Sequence, residues 1–161
     1  GPITEECLFR SSAVPLLLMA GCTMKCIVFF SPLIFGIAHL HHFYEFRVTY
    51  PQTPLAIAAA RSTLQLAYTT LFGVYATFLF LRTGSLLAVV IAHTFCNLVG
   101  LPRVWGFLQP HWLRGANVGR ESSVWKWTIP YYALLLTGSV LWWTNLLPLT
   151  TSSAALVALE V

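Results

Sequence analysis

The sequence contains no aspartate, and only 9% of its residues carry charge. A soluble domain carries roughly 25% charged residues, so most of this chain is built to meet lipid or other apolar helices. Any carboxylate chemistry must come from five glutamates. A basic stripe is missing too: the net charge of +4 comes from nine scattered Lys and Arg, which excludes a nucleic-acid-binding surface. No basic stretch followed by an apolar run and a small-residue cleavage site opens the chain. It begins with Gly1 rather than Met, which points to part of a longer polytopic protein. No internal repeat or low-complexity tract occurs. Cys22 and Cys26 have no second pair to complete a metal site, so Cys7, Cys22, Cys26 and Cys96 are expected to be buried free thiols. Neither Gly-x-Ser-x-Gly nor His-Glu-x-x-His is present.

What is abundant is apolar: 57% of the chain is hydrophobic and the mean hydropathy is +0.73. Five apolar stretches stand out, at about residues 3–20, 27–43, 63–81, 86–101 and 128–147. A spanning helix needs about 20 apolar residues, and backbone in lipid must satisfy its own hydrogen bonds. The expectation is therefore an all-α, polytopic transmembrane bundle with about five membrane segments, forming one domain over 1–161. Arg47 and Arg61, with Arg103, Arg114, Arg120 and Lys126, fall in loops on one side, and Lys25 and Arg82 on the other. This excess of six to two places the richer side in the cytosol. Trp105, Trp112, Trp125, Trp127, Tyr131, Tyr132, Trp142 and Trp143 fit an interfacial aromatic belt. His111 lies in a loop and is expected to be solvated, and His41, His42 and Glu45 to be interfacial or supporting.

Ionisable groups inside membrane segments are costly and by default functional. Glu5, Glu6 and Arg10 open the first stretch, His39 closes the second, and His93 and Asn97 lie in the fourth. Glu6 and Arg10 share a helix face at i, i+4 spacing and can pair. Glu5 projects roughly 100° away, free to face a cavity. His93 and Asn97 also share a face, as do Phe35 and His39. With the orientation above, the three segments bring their polar groups to one depth in the cytosolic half of the bilayer.

Glu5-Glu6-x-x-x-Arg10, Phe35-x-x-x-His39 and His93-x-x-x-Asn97, in that order on apolar segments, resemble the signature motifs of the type II CAAX prenyl proteases, the Ras-converting enzymes of the glutamic intramembrane protease group. The contexts Gly-Pro-Ile-Thr-Glu-Glu, Phe-Gly-Ile-Ala-His-Leu-His-His and His-Thr-Phe-Cys-Asn are similar to the eukaryotic members. The likeness covers roughly residues 1–105; beyond it lie a loop and a membrane segment, 106–161. It implies the later part of an eight-helix fold. It also implies an endopeptidase that removes the C-terminal tripeptide from prenylated CAAX proteins, such as Ras-type small GTPases, at the cytosolic face of the endoplasmic reticulum. Glu5 then resembles the water-activating carboxylate, His39 its partner, His93 and Asn97 the oxyanion-stabilising pair, and Glu6 with Arg10 the supporting pair. No cofactor is implied, and the lipid bilayer is the other partner. Two rival readings stay open. One is a zinc metalloprotease with Glu5, His39 and His93 as ligands; the other is a non-catalytic scaffold or immunity-type homologue.

Overall fold

The computed structural model describes residues 1–108 and 120–157, which are helical throughout apart from short connections, with no strand among the described residues. His111, Trp112 and Arg114 lie outside the described residues. Helix α1, Pro2–Glu6, begins with Pro at its first turn, where the missing N–H costs nothing. It runs into a π-helical turn, Cys7–Ser12, and then α2, Ala13–Met19. The π turn coincides with Ser11 and Ser12, whose hydroxyls both donate to the Cys7 carbonyl at 2.8 Å and draw that carbonyl out of α-helical register. Helix α3, Met24–Ala38, starts at Thr23, whose side chain accepts from the Cys26 N–H at 3.3 Å. A short break at His39 and Leu40 leads to α4, His41–Thr49.

Helix α5, Leu55–Thr83, is the longest element of this half and begins well before the apolar stretch that the sequence suggests. Its first turns carry Arg61 and Ser62, polar residues that a hydropathy reading cuts away. It ends at Gly84, which takes a left-handed φ of 62° and donates to the Phe80 carbonyl at 2.8 Å. Helix α6, Leu86–Val99, and helix α7, Arg120–Leu149, are the last two described helices. Among the described residues, three stretches are long and apolar enough to cross a membrane: Met24–Thr49, Leu55–Thr83 and Val124–Leu149. The architecture is that of a polytopic helical membrane protein.

The chain forms two compact units, Gly1–Leu98 with Thr151–Val161, and Val99–Thr150. In the first, α3 packs against α5 through a notch of small residues. Gly36 lies against Thr70 and Leu66 of α5, and a Cβ on Gly73 would come within 2.8 Å of the Pro32 Cβ. Close approach of this kind drives helix association where lipid is as apolar as the side chains. Ser31 and Thr77 hydroxyls meet across the same seam at 3.4 Å. The apolar core, Val14, Ile27, Val28, Ala76, Leu79, Phe80, Leu81 and Val89, sits at the start of α3 and the end of α5, several turns from His39. Large apolar side chains such as Phe29, Phe30, Ile34, Leu71 and Ile91 remain exposed on the outer faces, as lipid contact requires.

The tail folds back onto the first unit: the Leu156 N–H donates to the Leu81 carbonyl at 2.8 Å, and Val157 packs on the core. The four cysteines are free, but the expectation of buried thiols fails: Cys7 and Cys96 are exposed, and Cys22 and Cys26 are half-buried. Cys7 and Cys96 lie on outward faces, where a small apolar thiol is compatible with lipid, and Cys22, in the α2–α3 connection, packs against the core. In the second unit, the Tyr131 hydroxyl accepts from the Arg103 N–H at 2.8 Å, and Thr128 accepts from the Leu108 N–H at 2.9 Å, tying the loop before α7 to that helix.

Candidate active site

The adjacent carboxylates of α1 take different roles because successive helical positions diverge. Glu6 is 0% exposed. Its Oε1 accepts from Arg10 Nη1 at 3.3 Å and from His93 Nδ1 at 2.6 Å. Arg10 Nε approaches Glu6 Oε2 at 3.1 Å as a charge contact without hydrogen-bond alignment. Arg10 Nη2 donates to the Gly73 carbonyl at 3.3 Å, and its guanidinium lies 4.5 Å from the centre of the Phe35 ring. Desolvating each ion costs several kcal/mol, so the pair is stable only because these contacts from three helices surround it.

His93 therefore has one nitrogen committed. Its Nδ1–H is held by Glu6, and its Nε2 lies 3.8 Å from Glu5 Oε2. A carboxylate on one ring nitrogen fixes the orientation of the imidazole and leaves the other as the working atom. Glu5 is the accessible member, its side chain 32% exposed.

Phe35 is the hub between the polar groups. Buried on α3, its ring contacts Phe9 at 5.1 Å, His39 at 4.7 Å and His93 at 6.1 Å between centroids. Phe72 of α5 covers the other side of His93 at 4.7 Å. His39 caps α3 and donates its Nδ1–H to the Phe35 carbonyl at 2.8 Å, so its Nε2 is free. Asn97 is exposed, one turn beyond His93.

Thus Glu5, Glu6, Arg10 and His93 meet directly, His39 joins them through the Phe35 ring, and Asn97 stands apart at the surface. Among the described residues, no hydrogen bond or ion pair joins His39 or Asn97 to Glu5. The sequence reading pairs Glu6 with Arg10 as a support for Glu5; in the structure Glu6 also grips His93, because α6 approaches on the buried side of α1. Phe9, Phe72 and the Gly73 carbonyl have no place in a reading based on ionisable groups. A glycine inside the long apolar helix α5 is the signal that marks close backbone approach there.

Three helices thus carry a half-exposed carboxylate to within reach of an oriented imidazole, on the motifs Glu-Glu-x-x-x-Arg, Phe-x-x-x-His and His-x-x-x-Asn. The model of the family "Type II CAAX prenyl endopeptidase Rce1-like" matches residues 1–99, which hold all of these groups. The chain belongs to the Rce1-like type II CAAX prenyl endopeptidase family. Curated relatives in the Rce1-like family include a probable CAAX prenyl protease 2 of Schizosaccharomyces pombe, 41% identical over 143 residues, which are 89% of this chain and 47% of the relative. CAAX prenyl protease 2 of Arabidopsis thaliana is 48% identical over 101 residues, 63% of this chain and 32% of that protein. The Homo sapiens protein of the same name is 40% identical over 109 residues, 67% of this chain and 32% of the relative. The chain thus spans half or less of the length of these Rce1-like relatives. No solved structure matches it.

Proposed function

We propose that this chain is the catalytic portion of an intramembrane endopeptidase that removes the C-terminal tripeptide from prenylated CAAX proteins, Ras-type small GTPases among them. Glu5 is the general base that takes a proton from the attacking water, with His39 as its partner in proton transfer. His93 Nε2, in its protonated form, and the Asn97 amide stabilise the oxyanion of the tetrahedral intermediate. The proton held by Glu5 passes to the departing amine. The observation that carries this reading is the 3.8 Å approach of Glu5 to a His93 ring whose far nitrogen is anchored on buried Glu6. An oxyanion donor needs a fixed orientation and an N–H not committed elsewhere, and the anchoring of Nδ1 on Glu6 supports that role for Nε2.

The prenyl chain lies between helices or in lipid, where each buried CH₂ contributes about 0.8 kcal/mol. That binding positions the scissile bond beside Glu5. Asn97 is exposed, so it meets substrate only when substrate arrives. The excess of basic residues around the α4–α5 and α6–α7 connections, with Arg47 in α4, Arg61 in α5, Arg103 after α6 and Arg120 and Lys126 in α7, supports a cytosolic active site, in the endoplasmic reticulum membrane.

Cleavage of a prenylated CAAX peptide by the full-length protein tests the proposal. Glu5→Gln and His39→Ala are each expected to lower kcat by roughly 10²–10⁴-fold, as removal of a general base or its partner does. Asn97→Ala is expected to lower it about 10²–10³-fold. Wild-type turnover in both Glu5→Gln and His39→Ala would exclude the mechanism.

A further inference from the structure

The first turn of α4 carries histidines that the proposed hydrolysis does not use. His41 and His42 stack with ring centroids 3.9 Å apart, and Glu45 lies one turn on, so that one nitrogen from each ring and one carboxylate oxygen fall within 4.8 Å of one another. The His41 Nδ1–H donates to the Ala38 carbonyl at 2.7 Å, and the His42 Nδ1–H donates to Glu45 Oε2 at 2.7 Å. A carbonyl or a carboxylate can only accept, so in both neutral rings the proton sits on Nδ1 and Nε2 keeps its lone pair. An oxygen acceptor on one ring nitrogen, orienting the ring and raising the basicity of the other, is the setting in which proteins place metal-binding histidines.

We propose that His41, His42 and Glu45 form a binding site for a borderline divalent transition-metal ion of the Zn²⁺ or Cu²⁺ type. Two imidazoles and one carboxylate suit such ions and disfavour Mg²⁺ and Ca²⁺, which take all-oxygen sites. Water completes the coordination. His41 and Glu45 stand at i, i+4, so the bound ion clips the first turn of α4, which has no side-chain cap of its own. The site lies outside the Glu5, Glu6 and His93 cluster, with the His42 ring 5.9 Å from that of His39. Binding is independent of the hydrolytic role proposed for His39.

The test uses full-length protein in detergent, stripped of metal and titrated with Zn²⁺ against a chromogenic chelator, with Co²⁺ absorption as a second readout. The wild type is expected to bind Zn²⁺ with an affinity at least tenfold above that of the His41→Gln/His42→Gln double variant. Glu45→Gln, which retains both rings but removes the carboxylate from the donor set, is expected to weaken binding about tenfold or more. Basal cleavage of a prenylated peptide is expected to persist in the double variant, which also shows that it is folded. Equal Zn²⁺ affinity in wild type and a folded double variant would overturn the proposal, as would a wild type that binds no Zn²⁺. Loss of peptide cleavage in wild type with Zn²⁺ binding intact would strike the protease reading alone.

Discussion

At the scale of single residues, the buried polar cluster turns on Glu6. A carboxylate with no exposed surface, a guanidinium 1% exposed and an imidazole form one ionic cluster. Removing one partner leaves the other charges buried without compensation. Glu6→Gln is therefore expected to destabilise the full-length protein by about 3–5 kcal/mol, the typical loss on breaking a buried ion pair. Thermal unfolding in detergent measures it, and a loss below about 1 kcal/mol would show that the cluster is not buried as described. Arg10→Lys is expected to lose most of the same stability despite keeping the charge. A single ammonium cannot reach both Glu6 and the Gly73 carbonyl while lying flat on Phe35. The motif residues were legible along the chain because ionisable groups in apolar stretches stand out. Their partners were not, because Phe72 and Gly73 are ordinary residues of an apolar helix until the fold brings His93 and Arg10 against them.

At the scale of elements, the site depends on how closely α3 and α5 approach. Gly73 is the controlling position: an added Cβ meets the Pro32 Cβ at 2.8 Å and Arg10 Nη2 at 3.3 Å. Proline cannot rotate away, so the helices must separate. Gly73→Ala is expected to cost about 1–3 kcal/mol, the usual range for overpacking, and to lower cleavage of a prenylated peptide because Arg10 loses its seat. Gly138→Ala in α7 is the control, since nothing lies within 4 Å of an added Cβ there. It is expected to change stability by less than about 1 kcal/mol, in the favourable direction of helix propensity. Parallel melting curves separate the two, and equal effects would refute the notch. The π-helical turn lies between α1 and α2. Hydropathy detects an apolar stretch there, but the widened turn at Ser11 and Ser12 depends on local hydroxyl bonding to the Cys7 carbonyl.

At the scale of the molecule, the C-terminal tail closes the first unit. The Leu156 N–H satisfies the Leu81 carbonyl, Val157 adds to the core, and the Ala154 carbonyl packs where any side chain at Gly84 would stand. Truncation after Thr150 is expected to uncover the Leu81 carbonyl and part of the core, costing about 1–3 kcal/mol for the unsatisfied group alone. Limited proteolysis of the truncated protein, compared with full length, checks it: faster cleavage at the α5–α6 connection is expected, and an unchanged pattern would refute the closing role.

The sequence by itself determined the membrane character, the all-helical class and the family. These follow from local quantities: the shortage of charge, the length of the apolar runs and three short motifs in order. Pairing at i, i+4 was also readable, since Glu6 and Arg10 meet on one helix. Only the tertiary structure decided that Glu6 anchors His93 across 87 positions of chain, that Phe35 links His39 to the cluster, and where the tail docks. Such contacts depend on the approach of helices whose apolar faces look alike in sequence. In lipid, small gaps such as Gly36 and Gly73 select which faces meet.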